Sequence, residues 1–335
     1  MMDKEPEEMQ FLGVVGIIKE SFKILVRYVR LLSALALVLV LPLSFAVLAH
    51  TLVSNPLIHK IKYNESELNA EEQAGSLDTV RIRNELYSEW IKLGAMVVAY
   101  VVFVLAFSLL STAAVVYSVA CIYSGKEPTL VKVMSVVPRV WKRLMCTFLW
   151  VYLVMISYHA AFVLSAVIII VVDTKIGIPV LPFLIALVVI FLGVQVYLNV
   201  IWHLASVISV LEESYGLKAL KKSVNLVKGK KVVACILVFF YMILTAIVSA
   251  IFHSQIVKNH HHSKTISRVF YGSILVLALS LVNLWGILVQ SVIYFTCKSY
   301  HHESIDRIAL SELLDAYSGE YVPLKGPIPM ETFEV

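Results

Sequence analysis

Charge is scarce in this chain. Only 15% of its 335 residues are Asp, Glu, Lys or Arg, against about a quarter in a soluble domain. The shortage is concentrated: six long runs contain no Asp, Glu, Lys or Arg at all, while 59% of the chain is hydrophobic and the mean hydropathy is +0.85. A water-soluble fold is excluded, and a bilayer is the expected solvent. A cleavable secretory leader is not expected either. The first ten residues hold Asp3, Glu5, Glu7 and Glu8 against a single Lys4, whereas a leader opens on a basic segment followed by an apolar one. The first long apolar run starts at Leu31 and reads as an uncleaved span.

Chemical signatures are missing too. There is no Gly-rich phosphate loop, no His-Glu-x-x-His, no G-x-S-x-G and no potassium-filter sequence. No enzymatic activity and no cofactor is therefore expected. Basic residues sit only as flanks to apolar runs, so no nucleic-acid partner is expected. No carboxylate or lysine lies deep in a run, so a proton- or sodium-coupled carrier has no coupling group.

What is present is six stretches long enough to cross about 30 Å of hydrocarbon. They are 31–53, 93–123, 145–172, 176–211, 232–257 and 269–297. The expected fold is an all-α polytopic bundle of six transmembrane helices. Pro42 should kink the first span. The fourth is too long for one straight crossing, and Pro179 and Pro182 mark its beginning. The segment 1–30 is read as a cytosolic amino-terminal segment and 298–335 as a cytosolic tail. That tail carries a short amphipathic helix over about 304–317.

Lys and Arg collect on the cytosolic side of membrane proteins. Here they gather before span one, between spans two and three, between spans four and five, and after span six. Both termini are therefore expected in the cytosol, in a multi-pass protein of the secretory pathway, at the endoplasmic reticulum or plasma membrane. Asn64-Glu65-Ser66 is the one N-x-Ser/Thr sequon. It falls in the first loop, on the opposite side, which makes Asn64 a candidate glycan acceptor.

Each odd-numbered span follows a basic amphipathic segment. Val15, Ile18, Phe22, Leu25 and Val29 oppose Lys19, Lys23, Arg27 and Arg30. Leu130, Val133, Val137, Val140 and Leu144 oppose Lys132, Arg139, Lys142 and Arg143. Leu217, Leu220, Val224 and Val227 oppose Lys218, Lys221 and Lys222. Ser21, Ser135 and Ser223 recur at similar distances ahead of the next span. The pattern suggests a weak three-fold repeat: interfacial helix, span, turn, span. Such helices lie in the headgroup layer, and their cations attract anionic headgroups. Ordinary flanking charge is the plainer reading of the same residues. The lipid bilayer is thus the partner the sequence names. Protein partners are not legible, and a homo-oligomer is left open.

Two stretches carry a resemblance. The opening Met2-Asp3-Lys4-Glu5-Pro6-Glu7-Glu8-Met9-Gln10-Phe11-Leu12-Gly13 and the closing Glu312-Leu313-Leu314-Asp315-Ala316-Tyr317 with Gly319-Glu320-Tyr321-Val322-Pro323-Leu324-Lys325 resemble an uncharacterised plant family of six-span membrane proteins. Its members are labelled only as transmembrane proteins or by a polyadenylate-binding-protein-binding label. More remotely, Val210-Leu211-Glu212-Glu213, Gly216-Leu217, Ala219-Leu220-Lys221-Lys222-Ser223 and Leu226-Val227-Lys228-Gly229 are similar to a pattern in bacterial multi-span proteins. Those include the membrane domain attached to some glycerophosphodiester phosphodiesterases. The resemblance implies a six-helix membrane fold and brings no catalytic residue with it.

Polar side chains inside spans are the remaining pointers. They are His159, Gln195, Asn199, His203, Asn283 and Gln290, and Gln195, Asn199 and His203 stripe one face at i, i+4 and i+8. They could line a shared path for a solute, or simply hydrogen-bond helix to helix at about 1 kcal/mol per contact. Cys121, Cys146, Cys235 and Cys297 all fall at expected cytosolic span ends. There disulfides are disfavoured, and the thiols are candidates for palmitoylation or small apolar packing residues. His260-His261-His262, with His253, could meet a transition metal. Adjacent histidines diverge and no acidic partner is near, so no metal site is expected.

Overall fold

The computed structural model of the chain describes residues 6–74, 79–176, 180–258 and 265–301. Every regular element among them is helical. A 3-10 turn (Pro6–Phe11) precedes α1 (Val14–Arg27) and α2 (Val29–Leu35). A π-helical stretch (Ala36–Val40) then joins α2 to α3 (Leu41–Ala74). Next come α4 (Thr79–Tyr123), α5 (Leu130–Ile176), α6 (Val180–Leu211), α7 (Leu217–Leu226) and α8 (Lys231–Phe252). A second π stretch (His253–Lys258) and α9 (Thr265–Tyr300) complete the order. Six of these helical segments are long and apolar enough to cross a membrane, so the fold is the six-span all-α bundle. Pro42 enters just after the first π stretch. A proline nitrogen has no hydrogen to donate, and the changed register there is how a helix absorbs the lost bond.

The amino-terminal helix packs on α9, so residues 6–27 and the end of α9 share one end of the bundle, here called the basic end. The core sits there. α4 is buried on all its faces from Ser111 to Ile122, in the run Ser-Thr-Ala-Ala-Val-Val-Tyr-Ser-Val-Ala-Cys-Ile. Its small residues let neighbouring helices approach from every side, which is how helices associate where lipid gives no hydrophobic drive. Leu204, Ala205 and Ile208 of α6 and Leu288, Val292 and Phe295 of α9 close around it. Ile17 and Ile24 of α1 seal the outside. Towards the other end, α5 and α6 present apolar side chains outward, among them Val163, Leu164 and Ile168, and Phe183, Ile185 and Val189. In water these surfaces would drive aggregation; in a bilayer they are the solvent-exposed side.

Three boundaries differ from the sequence reading. The first loop is not a loop up to Ala74 and from Thr79: α3 and α4 continue through it as an antiparallel pair. At 45 residues, α4 is about 67 Å long, well beyond the thickness of a bilayer core. Ile61 and Ile82 are buried between the pair. Glu89 takes ion pairs from Lys60 at 2.8 Å and Lys92 at 3.0 Å. The hydrogen bond from Lys60, then that from Lys92, holds the Glu89 carboxyl below its usual range. The second difference is that residues 130–144 are not a separate interfacial helix. They are the first turns of α5. Val133, Val136, Val137, Val140 and Leu144 are buried in the protein core, so that apolar stripe is satisfied by protein and not by headgroups. Third, Ile176 belongs to the end of α5, and α6 starts at Val180 with Pro182 in its first turn. α1 and α7 are separate helices as expected. Ser21 and Ser223 are both fully buried and bond back to Ile17 O and Leu220 O, while Ser135 is exposed. The repeat is therefore closer between the first and third units than with the second. Pro179, His260–His262 and the tail helix fall outside the described residues.

Candidate functional site

The stripe on α6 faces α8 and α9. His203 Nδ1 lies 2.6 Å from Gln290 Oε1 on α9. An amide oxygen can only accept, so Nδ1 is the donor in this pair. Asn199 donates through Nδ2 to Gln195 O at 2.9 Å and to Met242 Sδ at 3.7 Å. Asn283 on α9 links two more helices: it accepts from Tyr241 Oη at 2.9 Å and donates to Ser44 Oγ at 2.9 Å. Gly286, one turn on, lets the Tyr241 ring lie against the α9 backbone, because a Cβ there would sit 2.6 Å from the ring.

Asn199, His203, Asn283 and Gln290 line one cavity of about 270 Å³ with Ser108, Ser111, Thr112, Ser206 and Tyr241. Four of the six candidate residues are thus brought together, with contributions from α3, α4, α5, α6, α8 and α9. Two are not. His159 is exposed on the outer face of α5, where its Nδ1 donates to Met155 O at 2.7 Å, so it points to lipid. Gln195 does not line the cavity. Its side-chain oxygen is buried with no hydrogen-bond partner among the described residues. Phe148, Trp202 and Leu43 complete the cavity wall, with Trp202 stacked on His203 at 5.9 Å. Towards the basic end the cavity meets the fully packed layer of α4, α6 and α9.

A second polar centre, which motif reading missed, lies at the basic end. Glu212 follows α6 and receives Lys222 of α7 at 2.7 Å, Tyr294 Oη of α9 at 2.7 Å and Lys298 at 3.5 Å. Burial pushes its carboxyl up, but the Lys222 and Tyr294 hydrogen bonds and the Lys298 charge outweigh it and leave the carboxyl below its usual range. Beside it the Gly216 N–H donates to Thr147 Oγ1 at 2.8 Å, and Thr147 shares a 2.7 Å hydrogen bond with Ser209. Gly216 has φ +62°, a conformation that costs an L side chain. The run from Val210 to Gly229 is therefore a clamp joining α5, α6, α7 and α9. The signal was present: Tyr294 and Lys298 stand at i and i+4 on one face of α9.

The remaining candidates divide by exposure. Lys19, Arg27, Arg139, Lys142, Lys218 and Lys221 are exposed, and Lys23 and Arg143 are half-buried. Lys222 is engaged with Glu212, which corrects its reading as a headgroup contact. Cys121 and Cys297 are buried in the core, so the packing role describes them and acylation does not. Cys146 and Cys235 are partly exposed. Asn64 lies inside the α3–α4 pair, and the Nδ2 that a glycan would need is buried without a partner among the described residues. The folded pair thus counts against it as an acceptor.

These features define a polytopic all-α membrane protein with a packed basic end and a small internal polar cavity. The chain belongs to the family described as a domain of unknown function (DUF8558), whose model matches residues 2–333. No curated protein and no solved structure matches it.

Proposed function

We propose that this protein is a non-enzymatic organiser of membrane lipid in a secretory-pathway bilayer, at the endoplasmic reticulum or plasma membrane. Its basic end faces the cytosol. The observation that carries the reading is the three-way division of α1. Ile17, Ser21 and Ile24 pack on the bundle, Val15, Phe22 and Val26 are exposed apolar side chains, and Lys19 and Arg27 are exposed cations. A helix with that division suits the headgroup layer, held from above by anionic lipid and from below by acyl chains. Lys218 and Lys221 on α7 are further exposed cations at the same end of the bundle. The concentration of Lys and Arg at this end supports its cytosolic placement.

The test uses the full chain in vesicles containing anionic lipid. Lys19, Arg27, Lys218 and Lys221 are replaced together by Gln, and membrane remodelling is followed by electron microscopy. Wild-type protein is expected to reshape the vesicles and the variant to do so far less. Identical behaviour would remove the lipid-surface role.

The polar cavity favours a second reading, a facilitator for a small solute, because four intramembrane polar residues share it. Against that stands the packed layer that separates it from the basic end. Solute uptake by proteoliposomes that changes with His203→Leu would favour the facilitator.

A further inference from the structure

A groove of about 860 Å³ runs between α3, the end of α8 and the start of α9. It lies on the half of the bundle away from the basic end. Its walls are apolar, including Phe45, Leu52, Phe252 and Val276, and its outer end is formed by Arg268. On α3 it extends from Leu41 to Leu52, and 11 residues of helix rise about 16 Å. That is about half the hydrocarbon thickness, the depth of one leaflet. A groove of this size is comparable with those that enclose whole small ligands.

Arg268 stands at the mouth of this groove, just ahead of the apolar part of α9. Its Nη2 donates to Ile256 O at 2.9 Å, which fixes the side chain, while its buried Nε has no hydrogen-bond partner among the described residues. Among the described residues no carboxylate pairs with it. An arginine fixed in place with an unused N–H is suited to a phosphate, which takes two parallel hydrogen bonds from a guanidinium. Both π-helical stretches border the same groove. Leu41 and Pro42 follow the first, and Ile256 lies in the second. Such stretches sit disproportionately where a helix has been reshaped for a ligand.

We infer that this groove holds one glycerophospholipid of the far leaflet, with its phosphate on Arg268 and an acyl chain along α3 and α9. The inference deepens the lipid-organising reading and rests on its placement of the basic end in the cytosol, which makes the bound lipid lumenal or extracellular. The charge supplies the selection: an apolar groove alone would accept any acyl chain, whereas Arg268 demands an anionic phosphate. The lipid would also bridge α3 to the α8–α9 hairpin, which here meet through the small cluster of Leu48, Phe252, Ile256, Val276 and Leu279.

The full chain, purified in mild detergent, is analysed by native mass spectrometry after addition of phosphatidylglycerol, diacylglycerol or inorganic phosphate. Three variants accompany it. Arg268→Gln removes the cation and Arg268→Lys keeps it. Gly272→Leu fills the groove from a position where an added Cβ meets no atom within 4 Å. The expected result is one phosphatidylglycerol per chain for wild type and Arg268→Lys, with occupancy roughly tenfold lower in Arg268→Gln and Gly272→Leu. Diacylglycerol or phosphate alone should not be retained. Equal occupancy in wild type, Arg268→Gln and Gly272→Leu would overturn the inference, and so would diacylglycerol held as firmly as phosphatidylglycerol. The basic-end Gln variant should keep its bound lipid. Failure of vesicle reshaping and failure of groove occupancy are therefore separate results.

Discussion

Glu212→Gln should destabilise the basic end by about 1–3 kcal/mol. The structure sets this range. The Glu212 side chain is 13% exposed and its closest cation, Lys222, is 34% exposed. Removing one partner of a fully buried pair costs about 3–5 kcal/mol, because the other charge is left without compensation. An exposed pair is worth about 0–1 kcal/mol. The clamp lies between these limits, and Gln can still accept the Tyr294 hydrogen bond. Unfolding by heat or by increasing fractions of SDS in mixed micelles reads the loss. A double-mutant cycle with Lys222→Met isolates the pair. The pH dependence has a definite sign. The folded Glu212 carboxyl is below its ordinary value of 4.5. Its contribution is therefore complete above that value and is lost as pH falls through the lower folded-state value. Wild type and Glu212→Gln should differ by a constant amount from pH 6 to pH 8 and draw together as the pH falls below 4.5. A coupling near zero, or a gap that widens in acid, would refute the clamp.

Three further outcomes follow from other parts of the bundle. Gly229→Ala should cost about 1–2 kcal/mol in the same unfolding assay, because φ is +93° there and left-handed backbone disfavours a Cβ. The Tyr300 ring also occupies the place of that Cβ, so Tyr300→Ala added to Gly229→Ala should recover only part of the loss. Asn283→Leu breaks the links to Ser44 and Tyr241 and should cost about 1–3 kcal/mol, since interhelical hydrogen bonds in membranes are worth about 0.6–2 kcal/mol each; an unchanged SDS midpoint would count against the network. In single-cysteine variants, a thiol reagent should label Cys146 and Cys235 in the folded protein and reach Cys121 and Cys297 only after unfolding. Equal labelling of all four would contradict the core packing.

The spans were legible because lipid imposes one rule: Asp, Glu, Lys and Arg are kept out wherever hydrocarbon surrounds the helix. That rule says nothing of where a helix stops once it has left the bilayer. Residues 54–92 look like a loop by charge, yet between Pro56 and Gly75 the chain holds no glycine or proline and is rich in Leu, Lys, Glu and Ala. Those are the residues that keep a helix going in water. The amphipathic stripe at 130–144 misled for a related reason. An apolar face shows that something apolar covers it, not whether the cover is protein or lipid. Val133 and Val140 are covered by protein, whereas Val15 and Phe22 are not.

The candidate site was legible in part, and the parts that were missed share a cause. His203, Asn199, Asn283 and Gln290 stood out because a polar group in hydrocarbon needs a partner. Ser44, which accepts from Asn283, and Ser108 and Thr112, which line the same cavity, did not, because a serine or threonine can satisfy itself on its own helix backbone and so carries no alarm in the sequence. His159 shows the converse: its Nδ1 is satisfied by Met155 O on its own helix, and it lies at the lipid face despite standing near the middle of a span. Arg268 escaped notice because it sits one residue outside an apolar run, where flanking charge is ordinary. What distinguishes it is three-dimensional: an Nε without a partner among the described residues, a groove one leaflet deep, and two π-helical stretches at its border. Whether a polar residue in a membrane protein is a functional group or merely a satisfied one is decided by which of its atoms remain without a partner. Gln195 and Asn64 also hold such an atom among the described residues, but Arg268 holds it beside a groove one leaflet deep, and that pairing of a free donor with space is what prepares it for something outside the chain.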